Sequence, residues 1–480
     1  MRIAAAARQP YAPHMRLHFL GANRQVTGSR YLLETSGTSV MIDCGLFQER
    51  ACLERNWAES PVEPGKVDAL LLTHGHLDHC GLIPKFVREG YRGPIHATPP
   101  SIELSQIVLE DAGRIQEEDA AYKKRRHERE GRKGPHPEVP LYTADDARAV
   151  FDRFQPVLYD RPLRIGEHVE VTWRDAGHIL GSALLVVSAR ENGRQRRIVF
   201  SGDLGQRHRA LMHDPTPVDE ADFVIMESTY GGRRHESATD LCDRFAAIIN
   251  DTVQRGGNII IPTFAIDRAQ EILYHLGDLV HRERIGRLTI FVDSPMAIDA
   301  TDVYKRHRHL LDAATQKMLE EGRHPFQFSG LHFVRTAAES RAINSIRGSC
   351  TILAGSGMCT GGRVKHHLRQ NISRPESTVL FVGYQAEGTL GRRILEREPE
   401  VRIHGRRFPV RARIEKLNGL SAHGDHDDLM AWLGGFRTPP TRVFLTHGEH
   451  AAAKKLAEAI RGQFGCAADI PEFGQVVQLE

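Results

Sequence analysis

The sequence predicts an α/β protein in which a region of alternating strands and helices interrupts a strand-rich one. Three observations predict it. Short apolar runs rich in β-formers lie at 15–20, 30–34 and 38–43, broken by Gly and Asn, the pattern of an antiparallel meander. From about residue 229 strands alternate with helical patterns, which implies a parallel sheet with helices on both faces. Beyond about 400 the strands return, and the run 443–445 leads straight into Thr446-His447-Gly448.

Each element follows in order. Residues 1–14 carry no periodic pattern and read as a loose N-terminal extension. The run 67–73 is a buried strand that ends on histidines. Residues 110–140 are polar and charged, including Lys123-Lys124-Arg125-Arg126. They read as a solvated helix or insertion, or as an accessory arm for a polyanion. Strands at 197–200 and 223–226 end close to Asp203 and Glu227. A helix at 236–255 precedes a strand at 258–263, and a helix at 267–281 precedes a strand at 288–292. Strand 351–354 passes through a glycine loop into a helix near 363–370, and strand 379–382 follows. The chain therefore divides into the extension, a first part at 15–228, an insertion at 229–395 and a return segment at 396–480.

Composition narrows the function classes. A chain of 480 residues supports two or three domains. With 40% apolar and 26% charged residues it is an ordinary globular chain rather than a disordered one. The formal net charge is +3, so a polyanion would have to be held by a local basic surface. No stretch approaches the roughly 20 apolar residues that span a bilayer, and no membrane association is expected. The run Ala4 to Ala7 is too short for a signal-peptide core. The seven cysteines are odd in number, widely spaced and without a CxxC pair. That excludes a disulfide framework and a zinc ribbon, and it fits a reducing cytoplasm. Cys80, beside the histidines, reads as a small buried apolar residue.

The chemistry concentrates in His74-x-His76-x-Asp78-His79. Neutral imidazoles and carboxylates are the ligands of zinc outside thiolate sites. Four potential ligands in six residues exceed what one open catalytic zinc needs, and two metals explain the excess: His74 and His76 on one, Asp78 and His79 on the other. Further ligands should come from other strand ends that run into Gly-rich turns. Gly177-His178-Ile179-Leu180-Gly181 offers His178, Ser201-Gly202-Asp203-Leu204-Gly205 offers Asp203 as a bridge, and Thr446-His447-Gly448 offers His447. Asp43, in Ile42-Asp43-Cys44-Gly45, is placed to accept a hydrogen bond from a ligand imidazole and orient it.

This set resembles the motif series of the metallo-β-lactamase fold, an αββα sandwich. Three more segments resemble its β-CASP branch: Glu227 in Met226-Glu227-Ser228-Thr229-Tyr230-Gly231, His423 in Leu420-Ser421-Ala422-His423-Gly424-Asp425, and His447. Pro262-Thr263-Phe264-Ala265 with Arg268, Asp293-Ser294-Pro295-Met296 and Gly355-Ser356-Gly357-Met358 are similar to β-CASP segments too. The resemblance runs from about Met15 onward. It covers bacterial and archaeal RNA-processing nucleases and the endonuclease subunit of the cleavage and polyadenylation factor. It implies a metallo-β-lactamase domain with an inserted β-CASP domain and a ribonuclease with two Zn2+ per chain. His74, His76 and His178 would hold one ion, Asp78, His79 and His447 the other, with Asp203 between. A bridging hydroxide would attack the phosphodiester, leaving 5′-phosphate and 3′-hydroxyl ends. His423 would be the general acid, oriented by Glu227, and Asp78 counts with both the ligands and the catalytic groups. The substrate would be single-stranded RNA, and a homodimer is allowed.

The loop Gly355-Ser356-Gly357-Met358-Cys359-Thr360-Gly361-Gly362-Arg363 opens a helix, where exposed N–H groups favour an anion. In this context Ser356, Gly357, Met358 and Thr360, with Arg268, Arg363 and Lys365, are candidates for RNA-phosphate contacts. His366 and His367 read as a surface or core pair. Residues 392–413 carry eight arginines against three glutamates, some solvated and some available to a nucleic-acid backbone. No aromatic platform for base stacking is evident. Two alternatives stay open: a small-molecule thioester or lactam hydrolase on the same fold, and a non-catalytic RNA-binding scaffold.

Overall fold

The computed structural model describes residues 15–133, 138–191, 193–235, 240–346 and 348–480. The extension 1–14 lies outside them, as do the residues that open the helix expected at 236–255. The chain forms two compact units. One comprises 1–207, 214–234 and 423–480, and the other 208–213 and 235–422.

The first unit holds two seven-stranded sheets. In the first sheet, Arg16–Phe19, Tyr31–Glu34 and Ser39–Ile42 form the expected antiparallel meander. Ala69–Leu71, Ile95–Ala97 and Phe154–Pro156 then add parallel to it. The second sheet runs from Pro162–Ile165 through Val169–Asp175, Ala183–Glu191 and Arg194–Phe200 to Phe223–Glu227. Arg442–Thr446 returns beside that strand in parallel. Alternation along these strands sends one face inward. Leu17, Phe19, Leu33, Ile42 and Leu71 meet Val171, Trp173, Leu185, Val187, Phe200 and Phe444 in one buried core. The opposite residues of the second sheet, among them Val199, Val224, Met226, Val443 and Leu445, bury against helices His426–Leu433 and His450–Phe464. This is the expected sandwich.

The charged stretch at 110–140 begins as the end of one long helix, Pro99–Glu130. Thr98 caps it, and it stops at Gly131 in the left-handed region. Its first half buries Leu104, Val108 and Leu109, while its second half is mostly exposed and carries ion pairs such as Arg126 to Glu130. Residues 134–137 lie outside the described residues.

The second unit is built on a six-stranded parallel sheet in the order Leu331–Phe333, Thr289–Asp293, Cys350–Ala354, Ile259–Pro262, Thr378–Val382, Arg413–Leu417. Four of these strands are near-continuous Ile, Val, Leu and Phe, as a sheet covered on both faces requires. The stretch 396–422 belongs here, not with the return segment where its strand pattern suggested. The reason is pairing: Arg413–Leu417 adds parallel to Thr378–Val382, and the hairpin Glu400–Ile403 with Arg406–Pro409 sends Val401 and Ile403 into this unit's core.

Candidate active site

The first unit's strands deliver their polar residues to one place. Ala69–Leu71 continues into Thr73 and His74, and a short helix, Leu77–Cys80, turns the chain so that Asp78 and His79 face back. Backbone bonds hold that turn: Cys44 N–H donates to His79 O at 2.7 Å and Leu46 N–H to Leu77 O at 2.9 Å. Gly45 between them is obligatory, because a Cβ there would sit 1.7 Å from the Asp78 carbonyl oxygen. Arg442–Thr446 places Thr446 opposite Glu227, and His447 follows. Asp43 and His447 both have φ in the left-handed region, at 55° and 47°, a strained state that concentrates at functional sites.

Two groups of donors converge. In one, His74 Nε2 lies 3.1 Å from His76 Nδ1, which lies 3.3 Å from His178 Nε2. Asp203 Oδ2 stands 3.4 Å from His74 Nε2 and 3.5 Å from His178 Nε2. In the other, His79 Nε2 lies 3.1 Å from His447 Nε2, which lies 3.2 Å from Asp78 Oδ2. Asp203 Oδ1 is 3.3 Å from His79 Nε2. A tetrahedral zinc with bonds of about 2.0–2.1 Å has donor-to-donor edges of roughly 3.3–3.4 Å. Both groups therefore have the spacing of a metal's ligand shell, and each is compact enough to hold an ion.

Charge leads to the same conclusion. Asp43, Asp203 and Glu227 are buried and Asp78 nearly so, yet their ion-pair partners among the described residues are all histidines. Asp203 Oδ1 is buried with no hydrogen-bond donor. Buried carboxylates without cationic partners are costly, and a bound cation removes that cost. In the first group, burial drives the histidines to the neutral form that ligates metal, pushing His74 down to about 3 and lowering His76 and His178. In the second, burial opposes the charge on His79 and His447, but the carboxylates around them together outweigh it and raise both, Asp203 with Asp43 at His79 and Asp203 with Asp78 at His447.

Around these donors stand their supports. Asp43 Oδ2 takes His79 Nδ1 at 2.7 Å, and Asp43 accepts from the Thr73 N–H and hydroxyl at 2.8 and 2.9 Å. Thr229 donates its hydroxyl to His447 O at 3.0 Å. Neither threonine stood out in the sequence, although Thr73 ends the strand before the histidines and Thr229 follows Glu227 by two, because a single hydroxyl in a turn has no spacing signature.

His423 arrives on a different segment. Gly424 N–H donates to Leu204 O at 2.7 Å, and Asp425 caps helix His426–Leu433 in a capping box. His423 Nδ1 then sits 3.1 Å and 3.2 Å from the Glu227 carboxylate oxygens and 3.9 Å from Asp203. Glu227 is itself held by the Leu204 N–H at 2.7 Å. Burial disfavours the imidazolium, but Glu227 and Asp203 outweigh it and lift His423 to about 9. Its side chain keeps 21% exposure, so it remains reachable.

The remaining candidates lie in the second unit. The glycine loop closes on itself: Gly361 N–H donates to Ser356 Oγ at 3.2 Å, and Val364 N–H to Gly355 O at 2.9 Å. Gly362 has φ 70°, and a Cβ there would meet Gly355 O at 2.3 Å. Thr360 is exposed and Lys365 half-buried. Arg268 is largely buried, donating to Val382 O at 3.1 Å. Arg363 is fixed from three sides, by Asp293 at 2.6 Å, Val334 O at 3.1 Å and Arg335 O at 2.6 Å. Gln385 donates to Gly357 O at 3.0 Å, and Ala386 N–H approaches Met358 Sδ at 3.3 Å. His366 is exposed and His367 buried. Of the arginines at 392–413, Arg392, Arg393, Arg407 and Arg413 are taken by carboxylates. Phe264, in a β-CASP-like segment but not among the contact candidates, is 50% exposed and packs its ring on Gly357.

Family comparisons agree with this architecture. Residues 24–252 match the metallo-beta-lactamase superfamily, 269–394 the Beta-Casp domain, and 407–471 the Zn-dependent metallo-hydrolase RNA specificity domain. A Thermus thermophilus protein named Ribonuclease TTHA0252 is 39% identical, over 97% of this chain and all of that one. A Methanocaldococcus jannaschii protein named Transcription termination factor FttA is 30% identical over 94% of this chain and 69% of its own length. A crystal structure of an Enterococcus faecalis protein of unknown function shares the fold, with TM-score 0.58 at 11% identity, covering 97% of this chain and 100% of that one. With both units and their donor-bearing strand ends accounted for, the chain belongs to the β-CASP ribonuclease family of the metallo-β-lactamase superfamily.

Proposed function

We propose that the chain is a zinc-dependent ribonuclease that hydrolyses single-stranded RNA at a two-metal centre, leaving 5′-phosphate and 3′-hydroxyl ends. One observation carries the reading: two donor groups with metal-shell spacing stand side by side, Asp203 belonging to the first and reaching His79 of the second at 3.3 Å, beside a histidine–carboxylate pair. The relative named as a ribonuclease and the match to an RNA specificity domain support RNA as the substrate.

In this reading His74, His76 and His178 would hold one zinc and Asp78, His79 and His447 the other, with Asp203 available to both. When bound, such metals supply Lewis acidity and a water that deprotonates near neutral pH. The chain's own groups do the rest. Asp43 fixes the His79 ring through Nδ1 and leaves Nε2 for the metal. Glu227 occupies Nδ1 of His423 and keeps the ring cationic, so Nε2 is the proton donor to the leaving 3′-oxygen. Ser356, Gly357, Met358, Thr360 and Lys365 make up the phosphate-facing set in the second unit, and the other two candidates, Arg268 and Arg363, stand behind it. Thr360 and Lys365 reach solvent, while Arg268 and Arg363 hold the surrounding backbone.

The test is cleavage of internally labelled RNA by purified protein, with metal content and product ends measured. Two zincs per chain with 5′-phosphate and 3′-hydroxyl ends are expected. Zinc-loaded protein that turns over thioesters or lactams but leaves RNA intact would overturn the reading. Among the described residues no helix is long and apolar enough to cross a membrane. Seven free thiols fit the cytoplasm, and light scattering checks the homodimer.

A further inference from the structure

A cavity of about 410 Å³ lies within the second unit, lined among others by Ser340, Arg341, Arg363, His367, Arg369 and Gln370. It stands at the carboxyl ends of the parallel strands Thr289–Asp293 and Leu331–Phe333, between the helices Ala337–Ala342 and Val364–Asn371. Open α/β sheets take ligands at that end. The volume falls in the range of small-molecule sites, about 300–1,000 Å³.

The lining is cationic and unbalanced. Three arginines line the cavity and no carboxylate does. Asp293 lies buried, bound by Arg363 and His367 at 2.6 Å each and by the Ser340 hydroxyl at 2.5 Å. Its charge is spent on those three. Arg341 and Arg369 are exposed and have no ion-pair partner among the described residues. The wall also holds a polar atom that nothing satisfies: His367 is 1% exposed, its Nε2 is on Asp293, and its Nδ1 has no hydrogen-bond partner. Buried ring nitrogens are ordinarily bonded, so an unmet one in a cavity wall marks a missing partner. Positive surroundings also show in His366, lowered by burial and then by His367, Arg369 and Lys365.

We propose that this cavity is a second phosphate site, separate from the metal centre, which takes the phosphate of a nucleotide through Arg341 and Arg369. Planar guanidinium forks suit phosphate, and two of them without carboxylates of their own lose no competing salt bridge when it binds. The cavity exceeds a bare phosphate and matches a mononucleotide. The nucleotide is either free or one residue of an RNA strand, since both present the same group.

The test is calorimetric titration of the full zinc-loaded chain with adenosine 5′-monophosphate, adenosine and a phosphorothioate RNA trinucleotide. It compares the natural protein with the Arg341→Gln/Arg369→Gln variant. Both side chains are exposed, so the variant keeps the fold, and an unchanged melting temperature verifies this. The monophosphate should bind roughly tenfold or more tightly than adenosine, and the double variant should lose roughly tenfold or more of the phosphate-dependent affinity. Its RNA cleavage rate should stay within about twofold, because neither residue touches the reacting bond. Loss confined to the monophosphate identifies a free nucleotide, and loss confined to the trinucleotide identifies a strand. Equal affinities of natural protein and variant for both phosphate probes, or equal binding of adenosine and its monophosphate, would overturn the proposal. The readout is binding, so an inactive metal centre would not be mistaken for a failed phosphate site.

Discussion

Each unit buries a cluster of charges, and the two clusters are built differently. In the second unit Arg209 is enclosed by Asp267 and Glu271, with Nε and Nη2 donating to the Glu271 oxygens at 2.9 and 3.0 Å and Nη2 also to Asp267. Tyr304 adds a hydrogen bond to Asp267 at 3.4 Å. The set supplies its own cation and its own donors. In the first unit, carboxylates of similar burial have only imidazoles as ion-pair partners among the described residues, and one Asp203 oxygen makes no hydrogen bond. A cluster complete in itself is structural, whereas one that lacks a cation is shaped for something the chain does not encode. Burial and charge count alone would not separate the two, but completeness does.

The comparison breaks most sharply at His76. His76→Ala should leave fewer than two zincs per chain and reduce RNA cleavage by more than the roughly 100-fold that loss of an outer partner costs. Undiminished cleavage would mean that the first donor group is not a metal site. His423→Ala should lower kcat by about 10²–10⁴ with zinc content unchanged, because the residue gives a proton rather than a ligand. A change in metal content would instead place it among the ligands. Arg209→Ala should cost roughly 3–5 kcal/mol in urea unfolding, because two buried carboxylates lose their cation. The protein that remains folded should keep its zinc. Asp43→Asn should weaken zinc binding about 10–100-fold, seen by competition with a chelator, and rescue by added zinc would confirm that the ring is still present but loosely oriented.

The smallest effect concerns pH. His423 is held up to about 9, so its acid form persists below that value and is lost as pH rises through it. Cleavage limited by this proton should fall roughly tenfold per unit above about pH 9. In Glu227→Gln the fall should begin at lower pH, since the carboxylate that opposes burial is gone. An identical pH profile in that variant would mean that the pair does not set the limb.

How much of this could be read in advance follows from which interactions are local. The run His74 to His79 was legible because an apolar strand ending in ligands is a pattern within a few residues. His178, Asp203 and His447 repeat it at other strand ends. The parallel region was legible because strands buried on both faces are continuous apolar runs. What escaped depends on distant partners. The 396–422 stretch has the strand pattern of the outer segments, and only pairing with Thr378–Val382 assigns it to the second unit. Arg363 has the look of a phosphate contact until Asp293, 70 positions earlier, takes its guanidinium. The left-handed backbone at Asp43 and His447 has no signature in residues that are not glycine. Phe264 resembles a core aromatic, and its exposure appears only when its ring lies on Gly357.

The parallel strand Arg442–Thr446 has a consequence in time. It lies between Phe223–Glu227 and Ala467–Asp469, and it carries His447 into place 368 positions after its neighbour His79. Translation at about 5–20 residues per second leaves roughly 20–70 s between the emergence of those two imidazoles. Throughout that interval a nascent chain has the first histidines but no completed second donor group. On the proposed two-metal reading, the message would be nearly fully translated before the chain it encodes could cut RNA.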